Sequence, residues 1–192
     1  MAHPQADLPV IDHVDDFLDW VHGQEERFEF VDGRLLAMGG GSRAHNDIQV
    51  NLIGELRSRL PGGPCRVNGP DLLVRTAERR GRFPDASVTC EEEPERWILR
   101  PLILFEILSP DTEARDRGQK WLEYQALPSL RHYVLIAQDR SRVEHFRRME
   151  AGGWHYLELE GAATQLRLDP PGLELRLADL YEGARLGAPD ER

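Results

Sequence analysis

The sequence predicts one mixed α/β (α+β) domain: a central mixed sheet flanked by helices, preceded by a helix and a hairpin. Three observations lead there. Leu102-Ile103-Leu104-Phe105-Glu106-Ile107-Leu108 is a nearly continuous apolar run, as expected of a central strand buried on both faces. A helical stretch over 112–126 and a second apolar strand, His132 to Ala137, come after it. Near the N-terminus, Asp32-Gly33 lies between two short apolar runs, a strong hairpin signal.

Each element carries its own signal. Val14, Phe17, Leu18 and Val21 recur at helical spacing after Asp12, a candidate N-cap, and Gly23 ends that helix. Residues 27–31 and 34–38 are the arms of the hairpin. Gly39-Gly40-Gly41 is a turn, and Ser42 is placed to cap the next helix. Ile48, Leu52, Ile53, Leu56 and Leu60 mark that longer helix, stopped by Pro61-Gly62-Gly63. Three strands are expected next, Cys65 to Asn68, Leu72 to Thr76 and Ala86 to Cys90. The second and third are joined by the basic tip Glu78-Arg79-Arg80-Gly81-Arg82. An acidic loop, 91–95, leads to the apolar strand at 102–108, which Ser109-Pro110 ends. Late in the chain, Val143 to Met149 and Trp154 to Leu159 form a hairpin. A short strand and a short helix near Leu177 to Tyr181 come after Pro170-Pro171. The expected domain is 12–182, with flexible tails at 1–11 and 183–192.

Composition narrows the function classes. With 192 residues, the chain is long enough for a core without staples. It is 40% hydrophobic and 30% charged, which argues against disorder. No apolar run approaches the roughly 20 residues needed to span a bilayer. The first ten residues lack the basic and apolar regions of a signal peptide, so the cytoplasm is the expected location. The net charge of −10 disfavours a sequence-blind nucleic-acid coat, which needs a positive footprint. It leaves room for an enzyme with one local basic patch. Cys65 and Cys90 form no CxxC pair and have no histidine at zinc-finger spacing, so neither a zinc site nor a disulfide is expected.

Of the 24 basic side chains, 23 are Arg and one is Lys, Lys120. Arg is a permanently charged fork, whereas Lys is a compact charge whose pKa moves. A lone Lys therefore suggests a position Arg cannot serve, or the survival of one surface residue.

Two carboxylates stand out. Glu106 sits inside the most apolar stretch of the chain, so it is paired, protonated or metal-bound. Asp85 comes directly after Pro84 and opens a strand in which Asp85, Ser87 and Thr89 share one face. If that strand lies beside the one holding Glu106, the two carboxylates converge. Hard oxygen donors of this kind suit Mg²⁺ or Mn²⁺. Asp116 precedes Lys120 by four residues. That is either a solvated helix-surface pair or part of a helix that turns Lys120 back over Glu106, where it would offset charge on a phosphoryl oxygen.

Taken in order, Pro84-Asp85, then Phe105-Glu106-Ile107-Leu108-Ser109-Pro110, then Asp116, Lys120 and Tyr124 resemble the Uma-type restriction endonuclease family of the PD-(D/E)XK nuclease superfamily. Phe28-Glu29-Phe30-Val31-Asp32-Gly33-Arg34-Leu35 resembles the family's N-terminal hairpin, His45 matches the His that opens its next helix, and Tyr133-Val134-Leu135-Ile136 is similar to a later strand. The resemblance covers about residues 12–182. It implies a restriction-endonuclease-like core and metal-assisted hydrolysis of DNA phosphodiesters. Asp85 and Glu106 would hold Mg²⁺ or Mn²⁺, and Lys120 would take the role of the superfamily's lysine. The simplest E-x-K pattern would place that lysine at 108, where this chain has Leu108.

Glu29 is either a further ligand or the hairpin's structural acid. His45 contacts a phosphate, supports a carboxylate or is structural. Arg79, Arg80 and Arg82, and a second group of Arg140, Arg142, Arg147 and Arg148, are candidate contacts to a nucleic-acid backbone. Gly39 to Ser42 is an anion site at a helix start or a plain connection. A homodimer is consistent with the superfamily. Two other classes stay open, a catalytically silent nucleic-acid or protein-binding module and a hydrolase of a smaller phosphate ester.

Overall fold

The computed structural model describes residues 8–187. The chain runs through α1 (Val14–Val21), β1 (Phe28–Val31), β2 (Arg34–Ala37), α2 (Arg43–Arg59), β3 (Arg66–Asn68), β4 (Leu73–Ala77), β5 (Arg80–Arg82) and β6 (Ala86–Thr89). It continues through β7 (Trp97–Ile98), β8 (Ile103–Leu108), α3 (Glu113–Arg115), a π turn (Asp116–Lys120) and α4 (Trp121–Tyr124). It ends with β9 (His132–Ala137), β10 (Arg142–Arg148), β11 (Trp154–Glu160), β12 (Gln165–Leu168), β13 (Leu173–Arg176) and α5 (Leu177–Leu180).

A six-stranded sheet has the order β11-β10-β9-β8-β6-β3. Its β8–β9 pair is parallel and the other pairs are antiparallel. The parallel pair needs a crossover, and the segment α3–π turn–α4 supplies it. β8 and β9 are buried along their whole length, which is why both read as unbroken apolar runs. One face of the sheet, with Phe105, Val134 and Ile136, packs on α2, α5 and the β12–β13 hairpin. The other face, with Leu104, Leu108 and Leu135, packs on Tyr124, Leu127 and Leu130 around the crossover.

A second, five-stranded sheet has the order β2-β1-β5-β4-β7 and carries α1, whose Phe17 packs with Phe28 and Phe30. Its β1–β2 turn has Asp32 at φ 50° and Gly33 at φ 83°. Both signs match the primed turn that Asp-Gly favours.

Several details differ from the sequence expectation. The two strands expected to be joined by the basic tip lie in different sheets. Residues 80–82 of the tip form β5, which pairs with β4 and β1. Gly81 permits this, because a Cβ there would lie 2.5 Å from Leu73 Cδ1. His13, rather than Asp12, occupies the N-cap of α1, and Asp12 pairs with Arg79 instead. Ile11, expected in a flexible tail, is buried, and Ala184 and Leu186 pack on the first core. Residues 1–7 and 188–192 of the expected tails lie outside the described residues. Cys65 and Cys90, expected to be unpaired, are joined by a disulfide with Cα atoms 3.9 Å apart. Register explains the pairing: β3 and β6 align Arg66 with Thr89, so the next residues outward face one another. Among the described residues no helix is long and apolar enough to cross a membrane.

Candidate active site

β6 and β8 run antiparallel, with Ala86 opposite Phe105. One step further, Asp85 faces Glu106. The Asp85 side chain continues the ladder after the β6 backbone has left it, because Oδ2 accepts the Ile107 N–H at 2.6 Å. Oδ1 accepts from Gln49 Nε2 at 3.1 Å and lies 3.3 Å from His45 Nε2. Gln49 and His45 project from the first two turns of α2, where the Ser42 side chain caps the helix by accepting the His45 N–H at 3.1 Å. Gly41 passes so close that a Cβ on it would lie 3.1 Å from the His45 ring.

Glu106 is buried. Its Oε2 accepts from Lys120 Nζ at 2.9 Å and its Oε1 from the Tyr124 hydroxyl at 2.9 Å. The Lys120 ammonium also lies 3.3 Å from Glu29 Oε1 and 3.2 Å from Asp116 Oδ1. Asp116 and Lys120 are therefore not a solvated surface pair, since both are buried. The sequence predicts an unbroken helix over 112–126. The π turn at 116–120 widens it instead, and both side chains point inward, a distortion often found at functional positions. The Tyr133 hydroxyl ties this turn to β9 by donating to the Asp116 carbonyl at 3.0 Å.

Charge sets the protonation. Burial alone would lower the pKa of Lys120, but Glu106, Glu29 and Asp116 outweigh it and hold the ammonium protonated well above its ordinary range. Burial raises Glu106 far above the usual carboxylate range. Lys120 opposes that shift, while Asp116, Asp85 and Glu29 reinforce it. For Glu29, burial is outweighed by Lys120 and Arg82, and the carboxyl titrates below its ordinary value. Burial and the Glu106 charge push the Tyr124 hydroxyl up, so it remains a donor.

Glu29, Asp85, Glu106 and Lys120 line one cavity of about 240 Å³, together with the Gly39–Gly41 loop and Arg115. Asp116 stands behind it. Among the described residues no three His, Cys, Asp or Glu side chains form a ready-made cation site. The donor chemistry nonetheless fits a hard cation. Glu29, Glu106 and Asp116 gather against the one ammonium of Lys120, and Asp85 adds to the field that raises Glu106, an imbalance that a cation would relieve. Mg²⁺ characteristically takes only one or two protein carboxylates and completes its shell with water and substrate phosphate.

The basic tip requires a correction. Arg82 is fully buried and cannot reach a nucleic-acid backbone. It bonds Glu29 at 2.8 Å and both oxygens of Glu123 at 2.8 and 2.6 Å. Arg80 makes two 2.7 Å bonds to Asp32, and Arg79 one of 3.0 Å to Asp12. In the second group, Arg142 pairs with Glu144 and Glu158, and Arg148 donates to three main-chain carbonyls and lies over Trp154. Arg140 and Arg147 are exposed. Sequence reasoning missed Gln49, Glu123 and Arg115. Gln49 lies four residues after His45 and Glu123 three after Lys120, so helical spacing carried a signal for both.

The model of the family described as "Uma2: Putative restriction endonuclease" matches residues 14–178. "Uncharacterized protein slr1290" of Synechocystis sp. is 33% identical over 188 residues, covering 95% of this chain and 98% of its own. "Uncharacterized protein sll1609" of the same organism is 29% identical over 147 residues, covering 73% and 83%. Among solved structures, a putative nuclease belonging to DUF820 from Anabaena variabilis superposes with a TM-score of 0.70 at 19% identity, over 88% of this chain and 97% of that one. That likeness establishes a shared fold.

Proposed function

The chain belongs to the Uma2 family, and from that premise we propose that it is a divalent-metal-dependent endonuclease that hydrolyses phosphodiester bonds of DNA. One observation carries the reading. Asp85 and Glu106, from neighbouring antiparallel strands, meet in a cavity with a single buried lysine 2.9 Å from Glu106.

Asp85 and Glu106 would hold Mg²⁺ or Mn²⁺, which when bound supplies an acidified water and polarises the phosphate. The remaining work falls to the chain. Gln49, His45 and the Ile107 N–H fix the Asp85 carboxylate. The Tyr124 hydroxyl and Lys120 orient Glu106 from opposite oxygens. Lys120 also brings permanent positive charge to the cavity, to offset the charge that develops on a phosphoryl oxygen. Glu29 and Asp116 hold that ammonium in place. Arg115, one-third exposed at the cavity wall and 4.0 Å from Glu29, is the basic group best placed to meet the incoming phosphate.

A second reading, a catalytically silent module, is favoured by one observation: Lys120 Nζ is already shared by three carboxylates. The test is cleavage of supercoiled plasmid and single-stranded DNA with Mg²⁺, Mn²⁺ or EDTA, comparing the wild type with Glu106→Gln and Asp85→Asn. We expect metal-dependent cleavage, with losses in both variants beyond the roughly 10- to 100-fold that removal of an outer partner costs. Cleavage that survives EDTA, or is equal in all three proteins, refutes the metal mechanism. No cleavage by the wild type favours the silent module.

A further inference from the structure

A second cavity, about 370 Å³, adjoins the carboxylate site, and Arg27 and Phe83 line both. Its position is set by the strand that separates the two. On β1, Phe28 faces the second cavity and the adjacent Glu29 the first. Phe83, whose N–H reaches Glu29 Oε1 at 3.4 Å, stands two residues before Asp85. The walls are apolar, formed by Val21, Phe28, Leu72 and Phe83, and the size falls within the roughly 300–1,000 Å³ of small-molecule sites. The rim carries the carboxylates Asp71 and Glu95 and the amide of Gln24, together with the guanidinium groups of Arg27 and Arg96. Asp71 is 91% exposed and lies 3.4 Å from Arg27.

This combination selects an occupant. Both rim arginines are already paired with carboxylates, Arg27 with Asp71 and Arg96 with Asp19, so the rim does little to attract the next phosphate of a strand. Apolar walls beside an aromatic ring accept a flat, neutral heterocycle. Rim carboxylates accept hydrogen bonds, so they reward N–H donors such as the exocyclic amines of adenine, cytosine and guanine.

We propose that this cavity receives the nucleobase adjoining the scissile phosphate, so that the substrate is a single strand or a nucleotide flipped out of a duplex. The inference rests on the nuclease reading. It supplies affinity that the internally paired Arg79, Arg80 and Arg82 of the basic tip do not. A base held in a pocket replaces phosphate contacts as the source of affinity, as stacking does in single-strand binding. A base inside an intact stack cannot enter such a pocket without extrusion.

The experiment uses the wild-type protein with Mn²⁺ and labelled single-stranded oligonucleotides of one sequence. Each carries one abasic tetrahydrofuran unit, walked along the strand. We expect kcat/KM for a given bond to fall about 10- to 100-fold when the abasic unit adjoins it, the loss of one stacked base, and to be unchanged when the unit lies several positions away. Val21→Phe, which fills the cavity, should impose a similar loss on the intact strand and abolish the abasic effect. Asp71→Asn, at the exposed rim, should change preference among bases and leave the thermal midpoint unchanged. Cleavage indifferent to the abasic position overturns the base pocket and leaves the nuclease reading standing. Absence of metal-dependent cleavage of every oligonucleotide overturns the nuclease reading and this inference with it.

Discussion

At the scale of single residues, the site is a network of buried charge. Lys120 is shared by three carboxylates and Arg82 by two, with Glu29 joining the two groups. Such pairs contribute little net stability when whole, because desolvation offsets attraction. Removal of one member strands a buried charge. Arg82→Met should therefore lower unfolding free energy by about 3–5 kcal/mol in a urea titration. Arg80→Ala removes an exposed pair with Asp32, and should cost less than about 1 kcal/mol. If Arg82→Met were as mild as Arg80→Ala, the buried network would not be what holds the two sheets at the site. Glu106→Gln keeps shape and an acceptor for Lys120, so it should fold and lose activity. Lys120→Ala strips the ammonium from Glu106 and Asp116 and leaves Glu29 to Arg82 alone, so it should lose stability and activity together, which makes it the poorer probe of mechanism.

At the scale of elements, two cross-strand pairings lead to predictions. The Cys65–Cys90 disulfide clamps edge strand β3 to β6, the strand that leads from Asp85, and spans 25 positions of sequence. Cys65→Ser with Cys90→Ser should destabilise the protein by about 3 kcal/mol, and reductant should reproduce the loss in calorimetry. An unchanged thermal midpoint under reductant would show that β3 is held by its ladder alone.

The second pairing joins β9 to β10, where His132 Nδ1 lies 2.9 Å from His145 Nε2 and His132 Nε2 lies 3.1 Å from the Pro170 carbonyl. Burial lowers the pKa of His132 to about 4. Burial, with His132 beside it, lowers that of His145 to about 3. In the unfolded chain both protonate near pH 6.5. The unfolded state therefore binds protons first as pH falls. Stability contributed by the neutral pair is complete above pH 6.5, and is lost progressively from there down to about 4 and 3. Urea midpoints across that range should decline, and His145→Phe should flatten the decline. An equally steep decline in His145→Phe would place the sensitivity elsewhere.

At the scale of the whole molecule, the net charge of −10 and the engagement of Arg79, Arg80, Arg82, Arg142 and Arg148 in internal contacts remove most of the two arginine groups as a phosphate track, leaving Arg140 and Arg147 exposed. Affinity for a nucleic acid should then depend weakly on salt. Neutralising two or three phosphates gives a slope of about −1.4 to −2.1 in log K against log salt for a single strand. A slope of about −6 or steeper would require an extended basic face and would contradict that expectation.

Much of the architecture is legible locally. Apolar runs identify β8 and β9, Asp-Gly identifies the β1–β2 turn, and Ser42 announces α2, because each is governed by neighbours in sequence. The oddity of Glu106 in an apolar strand and of one lysine among 23 arginines is likewise visible in the chain alone. What tertiary structure decided is which of these residues meet. Register set Cys65 against Cys90 and Asp85 against Glu106, and a one-residue slip would have separated both. The π turn decided that Asp116 and Lys120 face inward, and the close approach of Gly81 to Leu73 made the basic tip a strand, which buried Arg82. Local propensity determines where strands and helices begin and end. Pairing across the chain is chosen by the burial of whole faces at once, and that depends on residues far apart in sequence.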